Sequence, residues 1–175
     1  METLTSAETL RFRFSVRRRY PIASADGTAV GITKVHVQPG RTELEVCTPQ
    51  GEVVWLGHQQ GDASNRDCIF WASSADRVPL GTVSRLQLYV DNDPVALVEL
   101  TPGFDWGARL RVVDCEAGTP LALLTYGFRF RQSAHPDIRF LRPITETLRK
   151  LTVVAAYARW RTLTESMPWS SSSSP

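Results

Sequence analysis

Lysine is nearly missing from this chain. Of its 20 basic side chains only Lys34 and Lys150 are lysines, and the rest are arginines. A GC-rich genome produces that bias without any functional demand. Arginine also suits planar, two-pronged contacts with phosphate or carboxylate. Cysteine is scarce as well. Cys47, Cys68 and Cys115 are odd in number and far apart, with no C-x-x-C and no Cys/His cluster. That spacing suggests neither a zinc site nor a disulfide framework, and it reads as a reducing, cytoplasmic compartment. No apolar run approaches the ~20 residues of a membrane span. The opening Met-Glu-Thr-Leu-Thr-Ser-Ala-Glu has no basic start and no apolar stretch of the signal-peptide kind. Net charge is only +2, so no general pull toward polyanions follows and nucleic acid is not an expected partner. There is no P-loop, no G-x-G-x-x-G and no H-E-x-x-H, so no cofactor is expected.

What is present is the make-up of an ordinary globular domain: 175 residues, 42% hydrophobic and 22% charged. A phrase recurs along it, a polar turn followed by small and branched apolar residues. It occurs at 26–32, 49–55, 76–81, 91–96 and 116–123. Glycine in such a turn supplies positive φ, and proline starts a strand where its missing N–H does little harm. Alternation with a period of two marks three stretches. Phe12 and Phe14 oppose Arg11 and Arg13, Leu110 and Val112 oppose Arg109 and Arg111, and Phe128 and Phe130 oppose Arg129 and Arg131. Roughly ten strands are expected between residues 9 and 131. Residues 57–67 and 101–107 read as loops.

After residue 132 the pattern changes. Residues 143–164 predict one helix beginning at Pro143. Its centre, Leu151 to Ala158, is apolar or neutral on every side, which calls for burial on every side. A helix threaded through the sheet buries both Val153 and Val154. A helix docked on one face leaves Val153 exposed. The expected fold is mainly β, an antiparallel meander closing into a barrel or near-barrel, with one long C-terminal helix. Residues 1–8 read as an N-terminal extension, 9–165 as the barrel-like domain with its helix, and 166–175 as a flexible Ser-rich tail.

Few residues suggest chemistry. His58, Ser64 and Asp67 supply the types of a hydrolytic triad, but no G-x-S-x-G elbow presents the serine. His36 and His135 read as surface or packing residues. Asp91-Asn92-Asp93 lacks the Gly and Glu of a calcium loop and reads as a turn. No metal site is expected. The arginine strands stand out. If the sheet closes, its first and last strands can be neighbours. Arg11, Arg13, Arg129 and Arg131 then form a wall, joined by Arg109 and Arg111 and flanked by the run Arg17, Arg18 and Arg19. Such a wall can grip an anionic ligand.

The phrases "DGTAVG", "ADRVPLGTV" and "NDPVALVEL", with an apolar helix after the last strand, resemble the tubby C-terminal-like superfamily, which includes the LURP-one-related and phospholipid-scramblase proteins. The resemblance covers residues 9–163. It implies a non-catalytic barrel threaded by its C-terminal helix, which binds phosphoinositide, another lipid or a protein. The functional expectation is a non-enzymatic cytoplasmic binding or scaffold module, peripheral at a membrane where the ligand is lipid. The alternative is a structural subunit of a larger assembly of the phage or secretion-particle type.

Overall fold

The computed structural model describes residues 3–14, 18–39, 41–60, 68–84, 86–101, 108–126 and 135–165. The strands are β1 (Thr9–Arg11), β2 (Tyr20–Ala23), β3 (Ala29–Gln38), β4 (Arg41–Cys47), β5 (Val53–Gln60) and β6 (Ile69–Ser74). They continue with β7 (Pro79–Ser84), β8 (Gln87–Val90), β9 (Asp93–Leu100), β10 (Ala108–Asp114), β11 (Pro120–Tyr126) and β12 (Pro136–Phe140). Each strand pairs antiparallel with the next, and β1 pairs with β12, so the sheet closes into a barrel. Among the described residues every strand is paired on both sides, the arrangement that blunts sheet edges.

Among the described residues, two details of the strands differ from the sequence reading. There are twelve strands, because Pro136–Phe140 forms β12 in the stretch before the helix. It is short and begins with proline, which hid it, although Pro136, Ile138 and Phe140 alternate inward against Asp137 and Arg139. The second difference is at residues 57–60, expected in a loop. They extend β5, and Gln59 is buried. Polar composition was the wrong guide there, because β5 at this point lies between two paired strands. Residues 61–67 and 102–107 lie outside the described set, as does the tail from 166.

The recurring phrase is every second hairpin, so all five turns sit at one end of the barrel. Three of them share one hydrogen-bond pattern. Ser24, Thr48 and Ser74 N–H groups donate to the carbonyls of Thr28, Glu52 and Val78 at 2.9, 2.8 and 2.9 Å. Gly27, Gly51 and Arg77 then occupy the left-handed position, at φ of 90°, 92° and 64°. The β10–β11 turn is one residue longer and places Gly118 there. The β8–β9 turn is of another kind. Asp91 and Asn92 are both left-handed, as in a two-residue hairpin loop. Thus "ADRVPLG" and "DNDPVA" look alike and fold differently.

Helix α1 (Glu146–Glu165) runs through the middle of the barrel. It starts three residues later than the proline suggested. Thr145 caps it instead, its hydroxyl accepting the Leu148 N–H at 3.3 Å. Val153 is 1% exposed and Val154 0%, so the helix is buried on opposite sides at once. The strands make room for it with glycine. A Cβ on Gly57 would stand 3.2 Å from Val154 Cγ2, and one on Gly81 would collide with the Tyr89 carbonyl and meet Leu151 at 3.0 Å. Inside, the Tyr126 hydroxyl donates to the Ala156 carbonyl at 3.0 Å, which keeps its polar atom satisfied.

Residues before β1 are packed where the helix begins. Ala7 is fully buried, and the Arg149 guanidinium donates to the carbonyls of Leu4 (2.8 Å) and Ala7 while lying 3.8 Å from the centre of the Phe140 ring. Desolvation pulls the Arg149 pKa down to about 10, which still leaves it charged at neutral pH.

Because Leu151 is fully buried in the barrel's centre, its substitutions report on threading. Leu151→Ala is expected to cost about 2–5 kcal/mol by leaving a cavity. Leu151→Asp is expected to abolish the cooperative unfolding transition by stranding a charge in an apolar site. Denaturant unfolding followed by circular dichroism checks both, and an unchanged midpoint in Leu151→Asp would place the helix outside the barrel.

Candidate functional site

Among the described residues the centre of α1 is buried inside the barrel, and the polar clusters lie on the outer surface. A crevice of about 10 Å³ between Leu4, Trp55, Arg149 and Val153 is too small for any ligand.

Cross-strand register assembles an arginine-bearing outer face from β1, β12, β11 and β10. One row across it reads Arg11, Asp137, Thr125, Arg109, and the next reads Thr9, Arg139, Leu123, Arg111, Glu99. All four arginines are exposed. With strands ~4.8 Å apart, Arg139 and Arg111 stand roughly 10 Å from each other and Arg11 and Arg109 roughly 14 Å. Each row therefore addresses separated anionic groups. Arg111 Nε lies 2.8 Å from Glu99 Oε2, whereas Arg11 Nε is 3.9 Å from Asp137 Oδ2. Burial pushes the Asp137 carboxyl above its ordinary value, and the loosely placed Arg11 opposes this without overcoming it. Arg13, Arg18 and Arg19 are exposed on the segment joining β1 to β2.

The expected wall is thus corrected in one respect. First and last strands are neighbours, but the last strand is β12, so Arg139 takes the place assigned to the 127–131 stretch. Arg17, Arg129 and Arg131 lie outside the described residues. Arg139 went unnoticed in the sequence because it belongs to the unread strand. Its alternation with Ile138 and Phe140 was the signal available.

A second polar site forms on the outer side of β3, β4 and β5, and sequence reasoning did not foresee it. His36, Glu43 and His58 are directly opposite one another across the three strands. Glu43 Oε2 accepts from Arg41 Nη2 at 3.0 Å and Arg77 Nη1 at 2.9 Å, and His58 Nδ1 lies 3.1 Å away. Arg77 Nη2 reaches the other oxygen at 3.3 Å. His36 Nε2 stands 2.8 Å from Glu45 Oε1, an ion-pair distance without good hydrogen-bond geometry. His36, Gln38, Arg41, Glu43, Glu45 and Arg77 line a concavity of about 200 Å³, and His58 lies beside it on β5.

Electrostatics here is mutual. Burial alone would raise the Glu43 carboxyl, but the Arg77 hydrogen bonds and the surrounding cations hold it below its usual value. Burial lowers His58, Arg41 and Arg77 add to that, and Glu43 opposes it. His58 is thus committed to an ion-paired carboxylate, while Ser64 and Asp67, its suggested triad partners, lie outside the described residues. No group of three or more metal-ligating side chains converges among the described residues. His135, in the opposite part of the barrel, accepts the Phe14 N–H at its Nδ1 (3.2 Å) and stacks on Trp160. Burial lowers its pKa, and Arg13 adds to the effect.

Both imidazoles titrate below their ordinary 6.5 in the folded chain. The unfolded chain therefore binds more protons as pH falls through 6.5, and the folded state loses stability from there down toward the folded values. The thermal midpoint is expected to drop between pH ~7.5 and ~5.5, and His58→Gln with His135→Gln is expected to flatten that slope. A wild-type midpoint unchanged over that range would contradict the burial of these rings. A carboxylate held low, as Glu43 is, contributes in a separate and more acidic window.

Helix α1 is not long and apolar enough to cross a membrane. Comparison with protein-family models, curated proteins and solved structures finds no match to this chain.

Proposed function

We propose that this protein is a non-enzymatic binding module that recognises an anionic ligand through the outer face of β1, β12, β11 and β10. The observation that carries this reading is the register that brings Arg11, Arg109, Arg111 and Arg139 to one exposed surface from three different strands. The filled interior supports it too, since a barrel occupied by its own helix has no room to carry a ligand inside. The tubby-like resemblance implies a helix threaded in this manner, and the burial of Val153 and Val154 supports that reading. Phosphate-bearing lipid headgroups are the ligands that fit a broad face with separated guanidinium groups. Binding of that kind places the protein at a membrane surface without spanning it.

The test is co-sedimentation with phosphatidylcholine vesicles containing phosphatidylinositol bisphosphate, at low and high salt. Each arginine near an anionic membrane contributes about 1 kcal/mol, so Arg109→Glu with Arg111→Glu is expected to lower vesicle affinity by tenfold or more. Wild-type binding is expected to weaken with salt. Salt-insensitive binding, or equal binding by the double variant, would overturn the proposal. Light scattering on the free protein separates the rival reading: an obligate multimer, rather than a monomer, favours a structural subunit of a larger assembly.

A further inference from the structure

The turn between β6 and β7 breaks the rule set by its sister turns. Gly27, Gly51 and Gly118 take the left-handed position in theirs, and Arg77 takes it here at φ 64°. A side chain in that region costs roughly 1–2 kcal/mol relative to its relaxed state. Residues held in such conformations cluster where the strain serves a purpose. The purpose is visible in where the guanidinium goes. From the β6–β7 turn it crosses β5 and grips both oxygens of Glu43 on β4, at 2.9 and 3.3 Å. For this reach the hairpin has to lean over the outer side of β5.

On β5 and β6, two residues that strand alternation points outward are nevertheless buried. Gly57 faces Val154 of the helix, so its neighbour Leu56 faces away from the core. Leu56 is nevertheless 4% exposed, and it is absent from the central core cluster. Its cross-strand partner Ser73 is 5% exposed. Half-buried Val54 adjoins them on β5, and Val78, in the turn itself, is well exposed.

We infer that the β6–β7 turn is an ionic latch: the Arg77–Glu43 pair holds the hairpin down over Leu56 and Ser73, and its release uncovers an outward-facing apolar strip. The latch responds to charge competition. The Arg77 side chain is 57% exposed, within reach of competing ions, whereas the Glu43 side chain is 15% exposed. Arg41 and His58 remain on Glu43 when Arg77 leaves, so opening does not strand that carboxylate.

Thiol labelling tests this on the full chain. Ser73→Cys is nearly isosteric and serves as reporter in a Cys115→Ser background, since Cys47 and Cys68 are buried. Leu56→Cys is a second reporter at the same cover. Labelling is expected to be slow in this background, and faster by about tenfold when Arg77→Gly or Glu43→Gln removes the pair, equivalent to an opening equilibrium shifted by one decade. Molar salt is expected to accelerate the parent and leave the Arg77→Gly form unchanged. Arg142→Ala, which removes an exposed hydrogen bond to Thr119 (2.9 Å) elsewhere on the barrel, is expected to leave labelling unchanged at both reporters. The proposal fails if Arg77→Gly labels no faster than the parent at either reporter. In that outcome Arg77 is merely tolerated in the turn, and Arg77→Gly should raise the thermal midpoint by relieving the backbone.

Discussion

A barrel of this size is stable only if something fills it, and here the filling is a helix from the same chain. Every strand has one side toward α1 or toward the aromatic cluster at its end, where Phe14, Tyr157 and Trp160 pack with ring centres 5.3 to 5.9 Å apart. Close approach is what makes this possible. Ala155 and Ala156 on the helix, and Gly57 and Gly81 on the strands, keep backbone near backbone. A methyl group added at Gly57 would press on Val154 at 3.2 Å, tighter than ordinary van der Waals contact. The same packing leaves the Glu43 cluster and the exposed arginines of β1, β10 and β12 on the outer side of the barrel.

Much of this was legible from alternation and from one helix. The period of two in "RFRF" and "ARLRVVD" correctly separated buried Phe12, Phe14, Leu110 and Val112 from exposed Arg11, Arg13, Arg109 and Arg111. The uniformly apolar middle of α1 correctly demanded burial all round. Boundaries were harder. Pro143 looked like a helix start, yet the Thr145 cap decided it, because a hydroxyl that accepts an amide at the first turn outweighs a ring that only tolerates the position. Gln59 looked like loop material, yet it lies in a strand. A single window of sequence does not reveal that both neighbouring strands extend as far.

The second polar site was invisible for a different reason. Glu43, His58 and Arg77 are 15 or more residues apart, and no one motif contains all three. Only the register of β4 against β5 places Glu43 opposite His58. Only the path of the β6–β7 turn brings Arg77 to Glu43. One local signal did exist. In a chain whose sister turns use glycine, an arginine at the left-handed position departs from the chain's own rule, and a departure of that kind marks a residue that does something its neighbours do not.

The placement of α1 also orders events in time. During synthesis the strand residues leave the ribosome before the 20-residue helix that fills them. Until then the inward faces of β3, β4 and β5 have no partner to cover them, and the β1–β12 seam joins residues more than a hundred positions apart. Most of the strand residues are therefore made before the helix that covers them. Contacts of such long sequence separation make for slow folding, and exposed apolar strands in the meantime invite aggregation. Native structure in this barrel is completed from the inside, by the last of its described elements, and anything that delays the helix prolongs the exposure of the strands it covers.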